Sequence, residues 1–191
     1  MSGIAAAILI GGHSKRMGRP KENIVIKGDG RTFMEKLCDE VDGCYGLCID
    51  GRYISVRKGQ QVCREGYRTV EDIYDDIGPL GGLISVLTQA KEDGYNAVLL
   101  LACDMIGYDG NEIKKICGLY KGDGILYAHT GGGNVQPLAS IYGTDVLDAA
   151  LKNAKKGDYR LRDVADDKCT VEIYESDHPE AYINCNEGYP E

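Results

Sequence analysis

A continuous apolar run at residues 4–10, ending in Gly11 and Gly12, constrains the fold of this chain most strongly. A second run of the same kind, Ala97–Ala102, leads into Cys103 and Asp104. Short apolar runs without polar alternation are typical of strands that are buried on both faces, as in parallel sheets. The two runs therefore predict the centre of a mostly parallel sheet with helices on both sides.

Helix-like and strand-like patterns alternate along the rest of the chain. Apolar spacing predicts helices at 32–41, with Thr32 as N-cap, and at 79–91, 112–120 and 145–154. Further strands are predicted at 45–49, 124–128, 138–142 and 170–174. This order indicates an α/β fold, a Rossmann-like three-layer αβα sandwich with a mostly parallel central sheet, in a single domain over 1–191. In such sheets ligands lie beyond the carboxyl ends of the strands.

The overall charge limits the classes of partner. The 191 residues carry a formal net charge of −8, which argues against general binding of nucleic acids, because affinity for a polyanion depends on neutralising its phosphates. No apolar stretch approaches the ~18 residues that a membrane span needs, and the first run has no basic segment before it as a secretory signal would. We therefore expect a cytoplasmic protein that contacts neither nucleic acid nor membrane.

The 8 cysteines are scattered, with no C-x-x-C pair. Several lie inside apolar runs, where a free cysteine behaves as a small hydrophobic residue. The pattern favours buried, reduced thiols over a disulfide framework or a metal site.

The loop after the first strand concentrates positive charge in an acidic protein. Gly11 and Gly12 are followed by Lys15, Arg16, Arg19 and Lys21. Neither the dinucleotide fingerprint G-x-G-x-x-G nor the P-loop G-x-x-x-x-G-K-[ST] occurs here. Backbone N–H groups of a glycine loop can bind phosphate oxygens, and nearby cations can stabilise the charge of a leaving pyrophosphate. The loop is thus a candidate site for a small phosphate ester.

Asp104 occupies the position where the second apolar run ends. A carboxylate at that point faces the same edge of the sheet as the first loop, if the two strands are parallel neighbours. Phosphoryl and nucleotidyl transfer need a divalent ion, and hard cations such as Mg²⁺ take oxygen ligands. Asp104 is therefore the candidate metal ligand.

The string G-G-x-S-x-R-M-G-x-P-K, residues 11–21, resembles the signature loop of the nucleotidyltransferases that make molybdenum-cofactor dinucleotides, within the nucleoside-triphosphate transferase fold. The resemblance implies catalytic roles for Arg16, Lys21 and Asp104. It also implies nucleotide binding by a set of residues along the strand ends: Leu9, Ile10, Gly11, Gly12, Lys21, Asp50, Asp72 and Asp104.

Two members of this set are open to a second interpretation. Asp72 precedes a G-P-L-G-G helix start at residues 78–82, where an acidic side chain is also favoured by the helix dipole. Asp50, expected to end the strand 45–49, lies where the family usually has asparagine, and it could instead be a plain strand-end residue.

The second half of the chain resembles the family more loosely. The segment 136–142 contains Gln136, Pro137, Leu138 and Tyr142 in the family's order. Arg160 and Arg162 resemble a basic stretch that helps to bind the pterin phosphate, although exposed arginines are common on any surface. Asn184 and Asn186 match an N-x-N ending with the same suggested role, and an Asx-turn is the alternative.

The resemblance implies a molybdenum cofactor guanylyltransferase, which uses GTP, molybdopterin and Mg²⁺ and makes transient contacts with molybdoenzymes or cofactor-insertion proteins. A cytidylyltransferase of the same cofactor pathway and a sugar-phosphate nucleotidyltransferase are enzyme alternatives. A non-catalytic module that binds a nucleotide and delivers the cofactor is the alternative from another class.

Overall fold

A computed structural model describes residues 3–10, 20–131 and 135–185. The strands within these ranges are β1 (Ile4–Leu9), β2 (Gly51–Val56), β3 (Arg68–Glu71), β4 (Ala97–Ala102), β5 (Ile125–His129), β6 (Val135–Gly143) and β7 (Val171–Glu175). The α-helices within them are α1 (Phe33–Asp42), α2 (Pro79–Glu92), α3 (Gly110–Leu119) and α4 (Leu147–Lys156).

The strands form one sheet in the order β3-β2-β1-β4-β6-β5-β7. The first four in this order are mutually parallel, as are β5 and β7, while β6 is antiparallel to both of its neighbours. The prediction of an α/β fold with a mostly parallel sheet is confirmed. The two strongest apolar runs, β1 and β4, lie side by side at its centre.

Hydrophobic layers cover both faces of the sheet. Alternate residues of β1 point to opposite sides, so that Ala6 and Ile8 pack in one layer and Ala5 and Ala7 in the other. Helices α1 and α3 contribute buried side chains to the first layer, and α2 and α4 to the second. Each fully buried Leu or Ile side chain stabilises the fold by about 1.5–3 kcal/mol relative to exposure. This burial on both faces explains why the two central strands contain no polar residue.

Helix α1 begins at the predicted N-cap residue, Thr32, which forms a capping box with Glu35. The Thr32 hydroxyl accepts a hydrogen bond from the Glu35 amide at 3.1 Å, and the Glu35 carboxylate accepts one from the Thr32 amide at 2.7 Å. These contacts satisfy backbone donors that have no partner within the helix, which is worth about 1 kcal/mol.

The predicted strand at 45–49 is wrong. Residues 46–48 form turns, Tyr45 and Ile49 make only an isolated bridge, and the strand β2 begins two residues later at Gly51. Within this segment Ile49 is buried and joins the core, whereas Tyr45 and Leu47 are 49% and 73% exposed. Strand β3 was not predicted, because Val70 is its only buried residue.

All eight cysteines are free thiols. Four of them are buried, namely Cys38, Cys44, Cys103 and Cys117, whereas Cys63 is exposed. Burial raises the pKa of the Cys38 and Cys44 thiols to about 11. The expectation that several of the thiols are buried is confirmed. In the described part of the chain, no helix combines the length and the apolar character that crossing a bilayer requires.

Candidate active site

A cavity of about 910 Å³ opens beyond the carboxyl ends of the central strands. It is lined by residues that follow or end β1, β2, β3 and β4 and by the first turn of α2. Polar side chains in this lining include Lys21, Ser55, Arg57, Lys58, Gln60, Asp72, Asp75, Asp76 and Asp104. Its place in the sheet is the one that parallel α/β folds use for ligands.

Lys21 and Asp104 meet inside this cavity. The Lys21 ammonium donates a hydrogen bond to Asp104 Oδ2 at 2.8 Å, and the two side chains are 25% and 12% exposed. Lys21 begins a short 3-10 helix, Lys21–Asn23, and Asp104 follows β4. The sequence separates them by 83 positions, so only the fold brings the cation and the carboxylate together.

The parallel pairing of β1 and β4 sets the position of Asp104. Leu9 is in register with Ala102, and the Cys103 amide donates to the Leu9 carbonyl at 3.3 Å. The Asp104 carbonyl accepts a hydrogen bond from the Cys185 amide at 2.9 Å. The carboxylate is therefore presented by a turn whose backbone is held from two sides.

Asp72 forms the other end of the cavity, two strands away from β1. Its carboxylate accepts a hydrogen bond from the Ser55 hydroxyl at 2.8 Å, and its amide donates to the Val56 carbonyl at 2.8 Å. Burial raises the pKa of the Asp72 carboxyl, against the opposing effect of the Ser55 hydrogen bond. The next amide, of Ile73, donates to the Ser85 hydroxyl of α2 at 2.9 Å. A carboxylate in a fixed, partly desolvated position can accept N–H donors of a ligand.

A close approach of α2 to the sheet requires Gly82. A Cβ atom at this position would lie 3.0 Å from Ser55 Oγ and 3.1 Å from Leu9 Cδ2. The glycine thus lets the helix start pack directly on the strand ends that carry Ser55 and Leu9. This gives a packing reason for the G-P-L-G-G sequence at the cavity wall.

The predicted site residues fall into three groups. Lys21, Asp72 and Asp104 line the cavity together with Leu9 and Ile10, as expected for a common site. Gly11, Gly12, Arg16 and Asn186 lie outside the described residues. The remaining four, Asp50, Arg160, Arg162 and Asn184, do not belong to the cavity lining.

The structure separates Asp50 from the cavity, so its predicted contact with the nucleotide stays a prediction. Asp50 precedes β2 instead of ending a strand, and its amide donates to the carbonyl of Ile4, the first residue of β1, at 2.8 Å. A six-residue strand such as β1 spans about 20 Å, so Asp50 lies at the opposite edge of the sheet from the cavity.

Arg160 and Arg162 pair with acidic residues of their own segment. Arg160 donates to Asp158 at 2.9 Å and lies 2.9 Å from Asp163, and Arg162 lies 3.9 Å from Asp163. The structure does not bring these arginines together with Lys21 and Asp104. Their role toward a pterin phosphate stays a prediction.

Asn184 is exposed and immediately precedes Cys185, whose amide binds the Asp104 carbonyl. This neighbour relation places Asn184 beside the turn that carries Asp104, although its side chain is outside the lining. Its predicted contact with the second substrate is untested.

Sequence reasoning missed the contribution of the segment after β2. Ser55, Arg57, Lys58 and Gln60 all line the cavity. The signal was present in the run Tyr53-Ile54-Ser55-Val56, whose apolar residues indicate a strand, but the strand was assigned six residues too early. Placing it correctly would have put Arg57 and Lys58 at the ligand edge.

The donor set fits a divalent cation that arrives with phosphate. Mg²⁺ binds one or two carboxylates and completes its shell with waters and substrate phosphates. Asp104, only 8% exposed, offers such a carboxylate at the wall of the cavity. Within residues 3–10, 20–131 and 135–185, no three His, Cys, Asp or Glu side chains are grouped as a metal site. A closed structural metal centre is therefore not what this part of the chain provides.

The lysine and the aspartate meet beyond the carboxyl ends of two central parallel strands, in a cavity of a chain whose family model is that of a nucleotidyltransferase. The chain belongs to the family described as the MobA-like NTP transferase domain, whose model matches residues 6–172.

Curated and solved proteins agree with this assignment. A protein of Opitutus terrae named "Probable molybdenum cofactor guanylyltransferase" is 29% identical over 167 residues, which covers 84% of this chain and 77% of that protein. The crystal structure of molybdopterin-guanine dinucleotide biosynthesis protein A from Archaeoglobus fulgidus matches with a TM-score of 0.71 at 15% identity, covering 95% and 92% of the two chains. A Mycobacterium tuberculosis protein solved in complex with manganese matches with a TM-score of 0.61 at 14% identity, covering 92% and 89%. At such identities the solved structures show the shared fold.

Proposed function

We propose that this protein transfers GMP from GTP to the terminal phosphate of molybdopterin, releasing pyrophosphate and forming molybdopterin guanine dinucleotide. The observation that carries the proposal is the contact of Lys21 with Asp104 inside the cavity, at 2.8 Å. A cation and a buried carboxylate at the ligand edge of the sheet are what a triphosphate and its metal ion require. The relatives named as guanylyltransferases support the choice of substrates.

The reaction needs no nucleophilic side chain. An oxygen of the molybdopterin phosphate, already anionic at neutral pH, attacks the α-phosphorus of GTP. A P–O bond forms there, the bond from the α-phosphorus to the bridging oxygen breaks, and that oxygen leaves with the electron pair as pyrophosphate. Catalysis of this kind consists of positioning and charge stabilisation.

Lys21 stabilises the negative charge that develops on the leaving pyrophosphate, since its ammonium reaches the end of the cavity that contains Asp104. Asp104 would hold the divalent ion, whose chemistry there would be the neutralisation of charge on the triphosphate. Arg16, together with the amides of Gly11 and Gly12, is assigned to the triphosphate by the family's loop motif.

Asp72 gives a reason to favour GTP over CTP. Guanine presents adjacent N–H donors on its pairing edge, and an ionised carboxylate can accept both at once. Cytosine presents one amino donor beside two acceptors, and those acceptors would face the same carboxylate unfavourably. We assign the recognition of this difference to Asp72, whose carboxylate accepts from the Ser55 hydroxyl and whose amide donates to the Val56 carbonyl. Leu9 and Ile10 line the cavity between Asp72 and the reacting groups.

The other expectations from sequence form part of the same proposal. We assign the activity to a single domain over residues 1–191, active in the cytoplasm, with molybdoenzymes or cofactor-insertion proteins as transient partners. Cytidylyl transfer is the second candidate, because the G-x-P-K ending at residues 18–21 is shared with cytidylyltransferases of the same pathway.

Pyrophosphate release measured side by side tests these candidates. We expect release with GTP, molybdopterin and Mg²⁺, and at least tenfold slower release with CTP or with a panel of sugar phosphates in place of molybdopterin. A preference for CTP would establish the cytidylyltransferase. Binding of GTP without any pyrophosphate release would establish a non-catalytic module.

A further inference from the structure

A buried carboxylate immediately follows the lysine of the active site. Glu22 is 4% exposed and belongs to the 3-10 helix Lys21–Asn23, yet it is not part of the cavity lining. Burying a carboxylate is unfavourable unless it is hydrogen-bonded. The Glu22 carboxylate therefore needs a hydrogen-bond partner, and its position next to Lys21 needs an explanation.

The partner is Gln60, which does line the cavity. Gln60 Nε2 donates a hydrogen bond to Glu22 Oε1 at 2.6 Å. The oxygen of the same side-chain amide, Gln60 Oε1, accepts a hydrogen bond from the Arg57 backbone N–H at 3.1 Å. The backbone N–H of Gln60 donates to the Arg57 carbonyl at 3.0 Å. Gln60 thus closes the turn 57–60 and ties that turn to Glu22 with one side chain.

This contact joins two walls of the cavity that come from distant parts of the chain. One wall is the segment after β1, which carries Lys21, and the other is the turn after β2, which carries Arg57 and Lys58. The backbone at Lys21 is held within the short helix, where the Ile24 amide donates to the Lys21 carbonyl at 3.1 Å, and against α1, where the Phe33 amide donates to the Ile24 carbonyl at 2.9 Å. The Glu22–Gln60 bond adds a link from this helix to the turn 57–60. A three-residue helix is weakly ordered by itself, so a hydrogen bond to a charged acceptor helps to fix its orientation.

We propose that Glu22 and Gln60 are a positioning pair that holds Lys21 at the leaving pyrophosphate, a role that rests on the proposed function. Glu22 does not line the cavity, and the role assigned to Gln60 is its hydrogen bond to Glu22. The pair acts through the backbone of residues 21–23, and a displacement of Lys21 by about 1 Å can lower turnover by up to about 100-fold.

Exchanging the two side-chain types tests the pair. Gln60→Glu opposes two carboxylates across 2.6 Å and is expected to lower kcat about tenfold, with less than threefold change in KM for GTP. The double variant E22Q/Q60E restores an amide donor opposite a carboxylate and keeps an acceptor for the Arg57 amide. It is expected to return kcat to within about threefold of the wild type.

A structural control separates positioning from folding. Tyr127, 4% exposed, donates through its hydroxyl to the Leu161 carbonyl at 2.8 Å, in a part of the core that does not line the cavity. Tyr127→Phe is expected to lower the melting temperature while kcat, measured well below melting, stays unchanged. In a Lys21→Ala background, Gln60→Glu is expected to cost no further turnover, because the pair acts through Lys21.

A second measurement tests the positioning pair independently of the proposed function. Binding of inorganic pyrophosphate with Mg²⁺, followed by calorimetry, needs no pterin and no turnover. We expect a Kd about tenfold weaker in Gln60→Glu and near the wild-type value in the double variant.

If the wild type fails to use GTP with molybdopterin but this pattern holds, the proposed function is wrong and the positioning pair stands. Unchanged kcat and pyrophosphate affinity in Gln60→Glu, no recovery in a folded double variant, or a full additional loss in the Lys21→Ala background would overturn the pair.

Discussion

The Lys21 ammonium lies 2.8 Å from Asp104 Oδ2, although 83 positions separate the two residues in the chain. The parallel register of β1 and β4, in which Leu9 pairs with Ala102, brings both to one edge of the sheet. This contact brings together the end of the cationic glycine loop and the acidic strand end that the sequence singled out. The predictions below test what each partner does.

Replacing Lys21 with Ala should lower turnover by about 100-fold or more, because a charge at the leaving group is lost in the transition state. The fold should survive, since Lys21 is not part of the core. Pyrophosphate release and circular dichroism measure the two effects. Lys27→Ala, which removes an exposed lysine six residues away, is the matched control and should retain full activity. Equal activity in both variants would refute the role of Lys21.

Replacing Asp104 with Asn should make turnover depend on much higher Mg²⁺ concentrations, because a neutral amide binds a hard cation more weakly than a carboxylate does. We expect a loss of about 100-fold at millimolar Mg²⁺, measured as a Mg²⁺ titration of the initial rate. Asp167→Asn, at an exposed carboxylate, controls for the change of charge. The same Mg²⁺ dependence in wild type and Asp104→Asn would exclude Asp104 as the ligand.

We expect Asp72 to lower the stability of the fold at pH 7 and to contribute to recognition of the nucleotide. Because burial raises its folded-state pKa, folding favours the protonated carboxyl. Its contribution is therefore most favourable below the unfolded pKa and is lost as the pH rises through the folded pKa. Asp72→Asn should thus raise the melting temperature at pH 7, since the amide carries no charge to desolvate and still accepts from Ser55.

The same substitution should raise KM for GTP about tenfold or more, because a hydrogen bond to a charged acceptor contributes about 1.5–3 kcal/mol. Steady-state kinetics with GTP and CTP measure this effect, and discrimination between the two should fall. A melting temperature that drops with an unchanged KM would contradict both parts of the account of Asp72.

Glu112 should stabilise the segment that leads to the Asp104 turn. It is 1% exposed, and its Oε2 accepts hydroxyl hydrogen bonds from Tyr182, Ser176 and Tyr174 at 2.8, 2.9 and 3.1 Å. Burial alone would raise the pKa of Glu112, but the hydrogen bonds from Tyr182, Ser176 and Lys115 outweigh it and lower the pKa.

A carboxyl with a lowered folded-state pKa stabilises the protein above its unfolded pKa, and this contribution is lost as the pH falls through the folded pKa. Glu112→Gln should reduce the free energy of unfolding at pH 7 by about 1–3 kcal/mol, and the difference from wild type should shrink in acid. Urea denaturation at pH 7 and below pH 4 measures both values. A constant difference across this range would show that the charge of Glu112 contributes nothing.

The central strands and the site residues Lys21 and Asp104 could be predicted from the sequence for a physical reason. Strands β1 and β4 are buried on both faces, so their composition is set by burial alone and their ends are easy to recognise. Asp104 comes just after the end of β4, and Lys21 closes the motif that begins after the end of β1. The motif and the strand pattern were then two independent reasons to expect one site.

The errors arose in a segment whose apolar residues do not form a strand. In residues 45–49, Ile49 is buried but Tyr45 and Leu47 are exposed, and Gly46 adopts a φ of 74° in a turn, so these apolar residues do not form a strand. Misplacing β2 put Asp50 at the wrong edge and hid Ser55 and Arg57. The Glu22–Gln60 bond could not be anticipated either, because 38 positions separate the two residues and no local pattern links them.

Following the phosphorus atoms of GTP tests the central claim most directly. With GTP labelled at the α-phosphate, molybdopterin and Mg²⁺, we expect the label in a pterin dinucleotide, and with GTP labelled at the γ-phosphate we expect it in free pyrophosphate. Lys21→Ala should suppress both transfers together. Label that stays in GTP, or a γ-label that appears on the pterin, would contradict nucleotidyl transfer at the site formed by Lys21 and Asp104.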